Sequence, residues 1–228
     1  IIITKIYSLF FSSFENFFLK KKNKFIYKPL YRFPNKNSEK INYKNFQRIN
    51  WNKYLSKIIF SEEDIFKLIN IIFKKNNLAN EITALTGFNY TISFFTAYET
   101  YKISDDEKNL QWYANEFHKD KPYSNNMLKV FLSFQEIGDR DGPMVIKDEI
   151  LHKATLNSDE VILFFPTRYY HKATSPENGT RFQIMFQLNP SLGWKINKNI
   201  YFKQKKIEPK FPFFSYFFDK KLKIEIHQ

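Results

Sequence analysis

Four residues in this chain have types and spacings that could do chemistry together. His118 and Asp120 stand two apart in "FHKD", His171 follows in "YYHKAT", and Arg181 lies ten positions further on in "NGTRFQIMFQ". If His118 and Asp120 share a strand, their side chains leave the same face about 6.6 Å apart and can lean onto one ion. His171 would complete the set if its strand crosses that face. Two imidazoles and one carboxylate on one side of a divalent metal leave the other side open, an arrangement that suits ferrous iron. Catalytic zinc uses similar donors, so the ligands alone do not name the metal. The turn "SPENG" predicts a hairpin that brings Arg181 opposite Lys172 and Ala173, one or two residues across the ladder from His171. A guanidinium there can grip a carboxylate with two parallel charge-assisted bonds. An open metal beside such a clamp describes a site for a keto acid.

The elements that must position these residues can be read from periodicity. "SEEDIFKLINIIFKKNN" is helical: Ser61 is a candidate N-cap, acidic residues fill the first turn, and lysines close the last. Ile65, Phe66, Leu68, Ile69, Ile72 and Phe73 give this helix, predicted over residues 61–76, a broad apolar stripe fit to cover a sheet. From residue 88 the aromatic and β-branched content changes the period to that of strands, with one or two in "FNYTISFFTAYETYKI". Further strands are expected near 112–118, 127–136, 143–147, 161–165, 168–172 and 181–188, separated by "GDRDGP", "NSDE" and "SPENG". Many short strands after one or two helices imply a β-sandwich or distorted barrel decorated by helices.

Along the last strand, Arg181, Gln183, Met185 and Gln187 share one face, and Phe182, Ile184, Phe186 and Leu188 share the other. The first face would line a polar cavity and the second would meet the helix at 61–76. His152 lies in an irregular segment and is read as a surface residue or a substrate contact. His227, almost terminal, has no assigned role.

Length and charge bound the rest. At 228 residues and 27.6 kDa, one domain with elaborated ends is expected: a basic, partly helical arm at 1–60, a core at 61–190, and a basic aromatic extension at 191–228 packed on it. The absence of cysteine excludes disulfides and thiolate metal sites. The formal charge of +13 resides in the flanks, which carry +11 and +6 around a core of −4. An AT-rich coding sequence would by itself give this Lys, Asn, Ile, Phe and Tyr content, and the acidic middle argues against a nucleic-acid partner. The opening "IIITKIYSLFFSSFENFFLKKK" is interrupted by Lys5 and Glu15, so no transmembrane segment is expected, and the expected location is cytoplasmic.

With these motifs in place, the chain resembles the iron(II)- and 2-oxoglutarate-dependent dioxygenases, most of all the phytanoyl-CoA dioxygenase-type group. Besides "FHKD", "YYHKAT" and "NGTRFQIMFQ", the segment "LKVFLSFQEIGDRDGP", with Gly142 and Pro143, is similar to the family's strand, acidic turn and Gly-Pro piece. The likeness covers residues 85–190. It implies a mostly β fold, a double-stranded β-helix (jelly roll, cupin-like) core with flanking N-terminal helices. It also implies that His118, Asp120 and His171 bind Fe(II) and that Arg181 binds the distal carboxylate of 2-oxoglutarate, with O2 as cosubstrate. Lys129 is a candidate auxiliary carboxylate contact, an outward-facing lysine being the alternative. Gln183 and Tyr101, with Tyr98 and Gln111 to Tyr113, are candidate cosubstrate or substrate contacts that sheet packing would explain equally. The implied reaction is hydroxylation of a C–H bond in a small metabolite, lipid or sugar-like substrate. The rivals are a cupin-like metalloenzyme that does not use 2-oxoglutarate and a non-catalytic binding module of the same fold.

Overall fold

The computed structural model describes residues 10–14, 17, 28–36, 45–107, 110, 114–120, 124–196, 200–203 and 222–226. Two β-sheets face each other, with helices on the outer face of the larger. The large sheet runs in the order β1 (Tyr31–Pro34), β8 (Glu160–Phe164), β5 (Leu128–Leu132), β10 (Thr180–Ser191), β4 (Asn89–Tyr101), β12 (Leu222–Ile226), β11 (Ile200–Lys203). A hairpin of β2 (Arg48–Asn52) and β3 (Leu55–Ile58) joins it through β4. The small sheet has the order β7 (Leu151–Ala154), β6 (Met144–Lys147), β9 (Tyr170–Lys172). This is a mostly β, cupin-like jelly roll, as the strand pattern and the resemblance imply.

Both faces of the large sheet are buried, and that fact governs everything about the site. On the outer face, Phe182, Ile184, Phe186 and Leu188 of β10 and Leu128, Val130 and Leu132 of β5 form one core cluster with Ile65, Leu68, Ile69, Ile72 and Phe73. The side-chain alternation predicted for β10 is therefore observed, as is its contact with the helix. On the inner face, Phe131, Ile162, Phe164 and Met185 pack against Met144, Ile146 and Ala154 of the small sheet.

The covering helix begins as expected. Ser61 Oγ accepts from Asp64 N at 3.1 Å and donates to Asp64 Oδ2 at 2.6 Å, which satisfies an otherwise orphaned amide. It does not run unbroken to residue 76. After α1 (Glu62–Ile69) the backbone widens into a π-helical stretch, Asn70–Lys75, shown by the Asn76 N to Ile71 O bond of 2.9 Å. The reason is packing: three consecutive apolar residues, Ile71, Ile72 and Phe73, are all buried, which a 3.6-residue period places on one stripe less readily than the wider turn. The chain then re-enters α2 (Leu78–Thr86), closed by Gly87 at φ 75°.

Two other expectations are corrected. The strand predicted at 112–118 is not formed over its described part, 114–118. Ala114 has a φ of 41°, incompatible with a strand, and the segment contributes only an isolated bridge at His118. Conversely, the segment around His152 is not irregular: it is β7, an edge strand too short and too polar to announce itself by alternation. Gln111, Trp112, Tyr113 and His227 lie outside the described residues. No helix among the described residues is long and apolar enough to cross a membrane.

Candidate metal centre

His118 and His171 are joined by their main chains. His118 N donates to His171 O at 3.0 Å, and His171 N donates back to His118 O at 2.9 Å. This doubly bonded antiparallel pair sets the two side chains on one face, with ring centroids 4.4 Å apart. Ile146 is the partner of His171 on the next strand and points into the inner core, so both imidazoles face the space between the sheets. Asp120 is placed from the other side, its N–H donating to Pro166 O at 3.0 Å just beyond β8.

The three side chains converge. Asp120 Oδ1 lies 3.4 Å from His171 Nε2 and 3.7 Å from His118 Nε2, and one ligand atom from each residue falls within 4.8 Å of the others. Each ring presents Nε2 to this space because its Nδ1 meets a backbone carbonyl: Glu116 O at 2.9 Å for His118 and Tyr169 O at 3.3 Å for His171. A carbonyl can only accept, so Nδ1 carries the proton and the Nε2 lone pair is left to bind a metal. Phe164 closes the space against the His171 ring, edge to face at 5.0 Å. A borderline first-row divalent ion fits this donor set.

Lys129 does not face outward. Its Nζ is 2.5 Å from Asp120 Oδ2, and the two side chains are only 15% and 19% exposed. The reason is the doubly covered sheet. Leu128, Val130 and Leu132 are taken by the helix side, so Lys129 and Phe131 are turned to the inner side by the strand period. Burial would push the Asp120 carboxyl up, but the Lys129 ammonium beside it outweighs this and holds it well below the usual carboxylate range. Burial holds His171 below the ordinary imidazole value, against the opposing pull of Asp120. Both groups thus favour the forms that ligate metal, carboxylate and neutral imidazole.

Arg181 is 1% exposed and on the inner face, but not by way of the predicted hairpin. β9 and β10 belong to different sheets, and the ladder partner of Arg181 is Thr100 on β4 rather than the chain around Lys172. Its guanidinium still returns to the end of β9. Nη1 donates to Gly142 O and, at 3.1 Å, to Thr174 O, and Nη2 donates to Thr100 Oγ1 at 3.1 Å. Thr174 is three residues past His171, at most about 10 Å of chain. Gly142 is required here: its φ is 71°, and a Cβ would come within 2.6 Å of Pro176 N and Ser175 C. Gly142→Ala is expected to destabilise the fold by about 2 kcal/mol or more by thermal denaturation, since neither backbone can yield without releasing Arg181.

Gln183 shares the inner face and accepts from the Tyr98 hydroxyl at 2.9 Å. Tyr101 is not brought to the site: it lies on the opposite face of β4 from Thr100, and its hydroxyl donates to Ser56 Oγ at 2.8 Å. His152 lies on the same face of the small sheet as His171, with Ile146 between them, and its Nε2 meets Asp148 Oδ1 at 2.9 Å. Sequence reasoning could not place this residue because its strand was unrecognised. Phe164 and the two carbonyls that orient the rings left no signal in residue type.

No protein-family model matches this sequence, and no curated protein matches it. Solved structures do match. The non-haem alpha-ketoglutarate-dependent epimerase SnoN from nogalamycin biosynthesis superposes with a TM-score of 0.55, at 8% identity over 78% of this chain and 83% of that one. The two proteins share a fold. SnoN in complex with Fe3+, alpha-ketoglutarate and nogalamycin RO gives 0.51 at 8% identity, covering 77% and 83%. HygX from Streptomyces hygroscopicus, with nickel, 2-oxoglutarate and hygromycin B bound, gives 0.48 at 10% identity, covering 71% and 83%. At such identities the likeness to SnoN concerns the fold, and the function of this chain has to be argued from its own residues.

Proposed function

We propose that this chain is an Fe(II)- and 2-oxoglutarate-dependent oxygenase that hydroxylates a C–H bond of a small organic molecule. The observation that carries the reading is the convergence of His118, Asp120 and His171 with both Nε2 lone pairs aimed at one point. Bound there with 2-oxoglutarate and O2, iron supplies the oxidising power, with succinate and CO2 as coproducts. The protein's own part is placement. The histidines offer fixed donors, Asp120 is held ionised, and Arg181 of β10, whose guanidinium reaches the end of β9, is the proposed anchor for the distal carboxylate of the oxo acid. Gln183 and Tyr98 line the same inner face between Lys129 and Arg181 in the β-ladder register.

The motif likeness to the phytanoyl-CoA dioxygenase-type group supports a lipid, metabolite or sugar-like substrate. The epimerase activity of SnoN indicates that this fold also hosts outcomes other than hydroxylation. The carboxylate ligand Asp120 favours hydroxylation over halogenation.

Anaerobic titration of the purified protein with Fe(II) and 2-oxoglutarate tests the proposal. The expected result is the weak visible charge-transfer band of the chelate. Uptake of neither component would overturn the reading, and iron uptake without 2-oxoglutarate would support a cupin-like metalloenzyme of another kind. Arg181→Ala is expected to weaken 2-oxoglutarate binding about 10- to 100-fold, the loss of one or two charge-assisted bonds, with much less effect on iron. Calorimetric titration separates the two affinities, and equal losses would indicate damage to the fold instead.

A further inference from the structure

The Lys129–Asp120 pair has no place in a bare three-ligand metal site, and it deepens the proposed function on which this inference rests. Asp120 uses its two oxygens differently. Oδ1 faces both Nε2 atoms, at 3.4 and 3.7 Å, whereas Oδ2 is engaged by the Lys129 ammonium at 2.5 Å. Lys129 is not a surface residue that has drifted onto a convenient anion. It is fixed on the inner face of β5 between its ladder partners Gln187 and Phe164, and the latter packs on the His171 ring.

We infer that Lys129 is a positioning residue that holds Asp120 to one-oxygen ligation and thereby keeps open the coordination positions a chelating oxo acid needs. A six-coordinate ion with three protein donors keeps three positions, enough for two oxygens of the oxo acid and one further ligand. If both Asp120 oxygens bound, only two would remain, and the chelate would fill them. An ammonium on Oδ2 prevents this by geometry and by charge. The same charge repels the dication, so Lys129 costs metal affinity while favouring the anionic co-ligand. A group that only stabilised the fold would strengthen both bindings or neither. Lys129 is therefore marked by opposite effects on the two.

The test compares wild type, Lys129→Met and Lys129→Arg, each loaded with Co(II) in place of iron. Co(II) affinity and then 2-oxoglutarate affinity are measured by calorimetry, and the visible d–d spectrum reports coordination. Lys129→Met is expected to bind Co(II) about tenfold or more tighter and 2-oxoglutarate about tenfold or more weaker. Its spectrum should change before the oxo acid is added, as the second Asp120 oxygen takes one of the three open positions, and Lys129→Arg should restore the wild-type pattern. Lys129→Gln, which keeps a polar donor and loses the charge, gives the same reading if the Met variant does not fold. Affinities that move together or not at all, with an unchanged Co(II) spectrum, would overturn the assignment to Lys129. Failure of the wild type to take up Co(II) or 2-oxoglutarate would instead remove the proposed function itself.

Discussion

Asp120→Asn is expected to abolish detectable joint uptake of Fe(II) and 2-oxoglutarate, removing the charge-transfer band at concentrations that saturate the wild type. The substitution keeps the volume and the main-chain bond to Pro166 O but removes the only anionic donor among the three ligands. It also leaves the Lys129 ammonium, 15% exposed, without the carboxylate that faces it. The remaining centre would present two neutral imidazoles beside an uncompensated cation, which repels a dication; a loss of at least about 100-fold in metal affinity is expected. Breaking a largely buried ion pair from one side costs about 3 kcal/mol, so the metal-free variant should also unfold at lower denaturant concentration. The double variant Asp120→Asn with Lys129→Met should regain most of that stability but only part of the metal affinity, because the repelling cation is gone while the anionic donor is still missing. A variant that still bound iron with wild-type affinity would remove Asp120 from the ligand set.

The second large effect belongs to the core. Phe186 is fully buried, with the Phe73 ring 5.5 Å and the Phe95 ring 5.1 Å from its own. It joins three elements: the π-helical stretch, the central strand β4 and β10, the strand that carries Arg181. Phe186→Ala is expected to destabilise the fold by about 3 to 5 kcal/mol, from lost transfer free energy plus the cavity that rigid neighbours leave behind. Because Phe186 points away from the inner face, 2-oxoglutarate affinity of the folded fraction should change little. Denaturant unfolding followed by far-UV circular dichroism measures the first quantity, and calorimetry at low temperature the second. A stability loss under about 1 kcal/mol would mean that this aromatic junction carries far less than its burial implies.

What the sequence made legible, and what it hid, follows from the sandwich. The Arg181 to Leu188 alternation could be read because its two faces differ in chemistry, polar against aromatic. The covering helix could be read because its stripe is apolar and its cap local. The direction of Lys129 was left open because a lysine among Leu128, Val130, Phe131 and Leu132 looks like the wet side of a half-buried strand. Nothing in those five residues says that a second sheet covers that side. The pairing of Arg181 with Thr100 rather than Lys172 was hidden for a related reason: the turn residues after His171 carry the chain from one sheet to the other instead of folding it back. His118 was legible as a candidate ligand by type and spacing, but its carrier is held by one bridge, and a single bridge has no period to detect.

That bridge has a consequence for ion selection. The two imidazoles hang from one closed main-chain ring, so the gap between them is set before any ion arrives and acts as a fixed gauge. Accommodation of a larger or smaller radius would then fall to Asp120, whose main-chain anchor, Pro166, lies in the turn beyond β8.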